Sequence, residues 1–153
     1  MTDSKDITWL NELADKWLDR IRQGRLPHAV LLTGGRGAGK RAVAAWMAQH
    51  HLNVDPPALP QYPSPALEHP DLRWLRPDEG KQAIGIDQIR ELVAELSLTS
   101  YQGHGKVAVI EPANAMTNNA ANSLLKTLEE PSGNALLILI ADRKGWLPAT
   151  IFS

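Results

Sequence analysis

The stretch Leu31-Leu32-Thr33-Gly34-Gly35-Arg36-Gly37-Ala38-Gly39-Lys40-Arg41 decides how the rest of the chain is read. It reads as the end of an apolar strand, a glycine loop and the first turn of a helix. The spacing from Gly34 across four residues to Gly39-Lys40 is that of a phosphate-binding loop. In such a loop the glycines, Gly37 among them, let backbone N–H groups converge on a phosphate, while the helix N-terminus and the lysine add positive charge. One position departs from the pattern. Arg41 stands where Ser or Thr normally ligates Mg²⁺, and a guanidinium has no oxygen to offer a metal. A working nucleotide site, a retired one kept as scaffold, and a coincidental glycine turn all remain open. The apolar strand before the loop and the helix after it weigh against coincidence.

The surrounding composition narrows the class. At 153 residues the chain is read as one domain, with 43% hydrophobic and 22% charged residues as in ordinary globular proteins. A formal net charge of -1 argues against a strongly basic nucleic-acid-binding module. The sequence contains no cysteine, so neither a disulfide framework nor a thiolate zinc site can form. The longest apolar run, Ala135 to Ala141, falls far short of the roughly 18 residues of a membrane span. These features lead us to expect a cytoplasmic protein with no membrane contact.

Outward from the loop, strand-like and helix-like segments alternate. Apolar residues at helical spacing from Trp9 to Ile21 predict an amphipathic helix, with Thr8 as its cap and Gly24 as its stop. Ala29 to Leu32 is a continuous apolar strand, and Arg41 to His51 is the helix after the loop, with Val43, Trp46 and Met47 inward. A proline-rich excursion over 52–70 follows, with six prolines between Asp55 and Pro70, which excludes helix and interior strand. Leu72 to Leu75 reads as a short strand, Pro77 to Gly80 as a turn, and Asp87 as the cap of a helix facing inward through Ile89, Leu92, Val93 and Leu96. Gly103-His104-Gly105 marks a turn with a solvated histidine. Val107 to Ile110 is a strand, Thr117 starts a helix that Pro131 stops, and Leu136 to Ile140 is the last strand. This alternation specifies an α/β three-layer domain with a central, mainly parallel sheet.

In phosphate-loop ATPases a neighbouring strand ends in an acid that holds Mg²⁺, followed by a glutamate that polarises water. Here the strand ends in Glu111 and is followed by Pro112, so the place of the catalytic base is empty. Glu111 is either a remnant of the metal-facing acid or a solvated acid at a strand end. Loss of the hydroxyl at Arg41 and of the base at Pro112 together favours a site that no longer hydrolyses nucleotide.

Three segments carry a resemblance: Gly24-Arg25-Leu26-Pro27-His28-Ala29, Ala121-Asn122-Ser123-Leu124-Leu125-Lys126-Thr127-Leu128-Glu129-Glu130-Pro131, and Leu147-Pro148-Ala149-Thr150-Ile151-Phe152-Ser153. Through them the chain resembles the clamp-loader branch of the AAA+ family of P-loop NTPase-like domains, and within it the non-hydrolysing type of subunit. The resemblance implies a stator with no catalytic residue and a degenerate nucleotide site at Gly34, Gly37, Gly39, Lys40 and Arg41, with Glu111 as the remnant of the acidic motif. The alternative it leaves open is an active ATP-binding and hydrolysing subunit of the same branch. Its implied partners are other clamp-loader subunits, delta and gamma/tau, and indirectly the sliding clamp and primer–template DNA; nucleotidyl transfer would belong to the whole polymerase complex. Asn122, Lys126 and Glu129 are candidates for a subunit interface, or equally a solvated helix face. Relatives carry four zinc-binding cysteines where this chain has its prolines, so no metal is expected, and ATP is doubtful as a ligand. The resemblance further implies that the lid and collar domains, and an arginine that acts on a neighbour's ATP site, lie outside this chain.

Overall fold

The computed structural model describes residues 19, 29–33, 39–61, 66–98, 103, 105–129 and 135–142. Four strands form one sheet: β1 (Ala29–Thr33), β2 (Leu72–Leu75), β3 (Lys106–Ile110) and β4 (Ala135–Ala141). Three helices accompany them: α1 (Lys40–Leu52), α2 (Ile86–Leu96) and α3 (Asn118–Glu129), with a short 3₁₀ turn at Ala113–Ala115. The spatial order is β1-β4-β3-β2, and every neighbouring pair is parallel. Among the described residues no helix is long and apolar enough to cross a membrane.

Strand composition follows position in the sheet. β3 is buried along its whole length and β4 from Leu136 onward, as uninterrupted apolar runs require when both faces are covered. β1 and β2 flank them and are only partly buried. Because successive side chains point to opposite faces, each inner strand feeds two cores. Val107, Val109, Leu136, Ile138 and Ile140 pack with Val43, Trp46 and Met47 of α1 on one face. Ala108, Ile110, Leu137 and Leu139 pack on the other with Ile89 and Leu92 of α2 and Ala120 and Leu124 of α3. Helix, sheet and helix pair make the three layers, so the α/β architecture read from the sequence is the one observed.

Several boundaries differ from the sequence reading for local reasons. α1 starts at Lys40 rather than Arg41, with Gly39 before it at φ 82°, a left-handed conformation that glycine adopts without strain. α2 is capped by Gly85, not by Asp87: the Gln88 side-chain oxygen accepts the Gly85 N–H at 3.1 Å, while Asp87 sits in the first turn. Thr117 does open α3, its hydroxyl oxygen accepting the Ala120 N–H at 3.1 Å. Two features carried no sequence signal. Ile84 makes an isolated parallel bridge to Met116, and the 3₁₀ turn follows Pro112 directly.

Of the proline-rich excursion expected over 52–70, Leu52 is the last residue of α1, and the other described residues contain no helix or strand. The excursion is nevertheless fixed, because Trp46 Nε1 donates to the Pro57 carbonyl at 2.8 Å and His50 Nε2 lies 2.9 Å from the same oxygen. Val54 and Leu67 return to the core beneath α1. Of the helix expected over 9–21 only Asp19 is described, helical and exposed. His104, the stop at Pro131 and the segment 147–153 lie outside the described residues.

Candidate functional site

α1, the next helix after β1, packs on one face of the sheet, whereas α3, the next helix after β3, packs on the opposite face. Ligands of open parallel sheets bind outside the carboxyl ends of strands where connections diverge in this way. The candidate residues gather at that edge. Lys40 and Arg41 begin α1, Arg76 follows β2, Glu111 follows β3 and Asp142 follows β4. Gly39 is placed as the residue before α1, while Gly34 and Gly37 lie outside the described residues.

Glu111 is the centre of this edge. The parallel register sets Leu75 beside Ile110, so the residues just beyond each strand, Arg76 and Glu111, meet. The Glu111 carboxylate accepts from Arg41 Nε on Oε2, and on Oε1 from Trp74 Nε1 at 3.0 Å and from Arg76 Nη2 at 3.2 Å. Arg76 also rests over the Trp74 ring, with its guanidinium 5.7 Å from the ring centroid. Its backbone is held in turn by Gln88, whose amide donates to the Arg76 carbonyl at 3.1 Å.

This corrects one of the two readings of Glu111. It is no solvated acid, for its side chain is 11% exposed and both oxygens have partners. Burial is the largest influence on its proton affinity and pushes it upward. The hydrogen bonds from Arg41, Trp74 and Arg76, together with the Arg41 charge, outweigh that push and hold the carboxyl below its ordinary value.

Asp142 makes a second, looser centre. Its carboxylate lies 3.9 Å from the ammonium of Lys40, whose side chain is 6% exposed. Its backbone N–H donates at 3.0 Å to the side-chain oxygen of Asn114, in the 3₁₀ turn just past Glu111. On α3, Asn122 and Lys126 are exposed, and Glu129 ends the helix, its side chain outside the described residues.

The sequence reading missed Trp74, Arg76, Asn114 and Asp142. Asp142 had a usable signal, since it is an acid closing an unbroken apolar run just as Glu111 closes β3. Arg76 had none, because its role depends on β2 lying next to β3.

A Mg-nucleotide does not fit these groups. Arg41 brings a cation where a metal ligand belongs, and both Glu111 oxygens are taken by the chain's own cationic and N–H donors. Fold and edge residues together define a P-loop-like α/β domain in which Arg41 and Glu111 are joined in an internal ion pair.

Comparison with known proteins narrows that class. Residues 9–153 match the family model described as DNA polymerase III, delta subunit, and the chain belongs to that family. It is 43% identical to the DNA polymerase III subunit delta' of Pseudomonas aeruginosa over 82% of its own length and 40% of the relative's. It is 35% identical to the delta' subunit of Bacillus subtilis over 96% of its length and 48% of the relative's. A solved DNA polymerase III gamma subunit-related protein from Thermotoga maritima superposes with a TM-score of 0.69 at 26% identity, covering 90% of this chain and 42% of the other. The chain thus spans somewhat less than half the length of these relatives.

Proposed function

We propose that the chain is the P-loop-like domain of a non-catalytic stator subunit in a DNA polymerase III clamp loader, working in the cytoplasm. It supports ATP-dependent loading of the sliding clamp onto primed DNA while turning over no nucleotide itself. Its partners are the delta and gamma/tau subunits, and indirectly the clamp and primer–template DNA. Asn122, Lys126 and Glu129 of α3 form part of the face it offers a neighbouring subunit. Lid and collar domains would accompany it in the assembled subunit, and neither zinc nor ATP serves it as a cofactor.

The observation that carries this reading is the state of Glu111. A carboxylate with an arginine on one oxygen and an arginine and an indole on the other would have to give up those donors before binding Mg²⁺. The adjoining Pro112 supplies no base for the attacking water. Magnesium-dependent ATP turnover by the purified chain tests the reading, and the expected rate is background. Turnover above background that Lys40→Met abolishes would replace the stator with an active ATPase subunit.

A further inference from the structure

Asp142 belongs to no motif that suggested itself in the sequence, yet its position is closely determined. Ala141 pairs with Thr33, so Asp142 lies one residue beyond that pair, at the carboxyl end of β4. Its backbone is anchored by Asn114, and its carboxylate faces Lys40, the charge that a phosphate-binding loop keeps for its ligand. The Lys40 side chain is buried, and a carboxylate of the same chain stands within ion-pair range of its ammonium.

We propose that Asp142 is an internal substitute for phosphate: it neutralises Lys40 and repels phosphate-bearing ligands, nucleoside di- and triphosphates and pyrophosphate above all, from the Lys40 ammonium at the start of α1. The inference rests on the reading of the site as one that turns over no nucleotide, and it names the residue that also keeps the site empty of ligand. A bound phosphate would have to share the Lys40 ammonium with a carboxylate 3.9 Å from it, two like-charged groups competing for one cation. Glu111 cannot take this part, since its charge is already balanced by Arg41 and Arg76. Asp142, 35% exposed and paired at a distance too long for a hydrogen bond, leaves a polar and accessible place for the competition.

The test is calorimetric titration of the 153-residue chain and its Asp142→Asn variant with ADP and with pyrophosphate, each with and without Mg²⁺. Removing one unit of like charge at this range raises affinity by about tenfold or more. The gain should be the same without Mg²⁺, because the Glu111 oxygens stay occupied. It should vanish in the Asp142→Asn, Lys40→Met double variant. Asp142→Ser carries the same expectation should the asparagine variant fail to give the parent circular dichroism spectrum. Unchanged affinity in the variants, a gain that survives Lys40→Met, or micromolar binding by the parent chain would each overturn the proposal. ATP turnover by the parent would instead defeat the non-catalytic reading, so the two failures are told apart.

Discussion

Two carboxylates close two adjacent parallel strands, and they are held in opposite ways. Glu111, after β3, is nearly buried and receives donors from α1, from β2 and from the residue beyond β2. Asp142, after β4, is partly exposed, fixed through its backbone and paired with Lys40 only at 3.9 Å. The first is a clasp that joins three elements. The second is an exchangeable counter-ion. One edge of a sheet thus carries a structural centre and a potential ligand centre side by side, and the difference lies in how many of each carboxylate's hydrogen-bonding positions are filled.

The most damaging way to disturb the comparison is to remove what both centres stand on. Ile138, fully buried in the middle of β4, packs against α1 while its neighbours on the strand face α2 and α3. Ile138→Ala should cost about 2–5 kcal/mol of stability by chemical denaturation. Both centres should loosen together, since α1 and the end of β4 are set by the same packing. A loss confined to below about 1 kcal/mol would mean that the edge is held by its ion pairs instead of by the core.

Glu111→Gln comes next, because it removes the charge while keeping the shape. Two arginines and an indole N–H would then face a neutral amide, one of whose atoms is itself a donor. The expected loss is about 2–3 kcal/mol, less than for a fully buried pair because the arginines are more than half exposed. The same clasp has a pH signature. The folded carboxyl titrates below its unfolded value, so its contribution is fully present above the ordinary glutamate range. It fades as pH falls through the lowered folded value. Denaturation midpoints of the parent chain should therefore drop on acidification more steeply than those of Glu111→Gln, and parallel curves would remove Glu111 from the account.

How much of this edge could be read in advance depends on which interactions are local. The strands β3 and β4 announce themselves as unbroken apolar runs, and the glycine loop by its spacing, because burial and backbone freedom act on consecutive residues. Arg41 and Pro112 were legible as departures from an expected pattern. Arg76 and Trp74 were not, since an arginine after a short strand reads as surface until β2 is known to pair with β3. The cap of α2 was misassigned for a similar reason. Asp87 is the better capping residue by type, but Gln88 reaches back to Gly85 and also holds the loop from Arg76 to Asp78. Strand order and cross-loop contacts are global properties, and no periodicity records them.

Trp74→Phe sharpens the clasp itself. A smaller aromatic face remains under Arg76, while the indole N–H to Glu111 is removed with the pyrrole part of the ring. A stability loss of about 1 kcal/mol is expected, one hydrogen bond to a charged acceptor that keeps its other donors. A loss as large as that of Glu111→Gln would mean that the indole, and not the arginines, sets the carboxylate's place.

The smallest effect falls on the other side of the comparison. Asp142→Asn keeps the backbone N–H to Asn114, and it leaves an amide oxygen facing Lys40 at a distance where the original pair made no hydrogen bond. Screening at a partly exposed carboxylate further limits what the charge contributes. The stability change by urea denaturation should stay below about 1 kcal/mol, even though the burial of Lys40 works against the substitution. A cost equal to that of Glu111→Gln would make Asp142 a second clasp, too deeply engaged to yield its place to a phosphate. A near-neutral change, combined with altered phosphate affinity, separates a residue that holds the fold from one that guards a site.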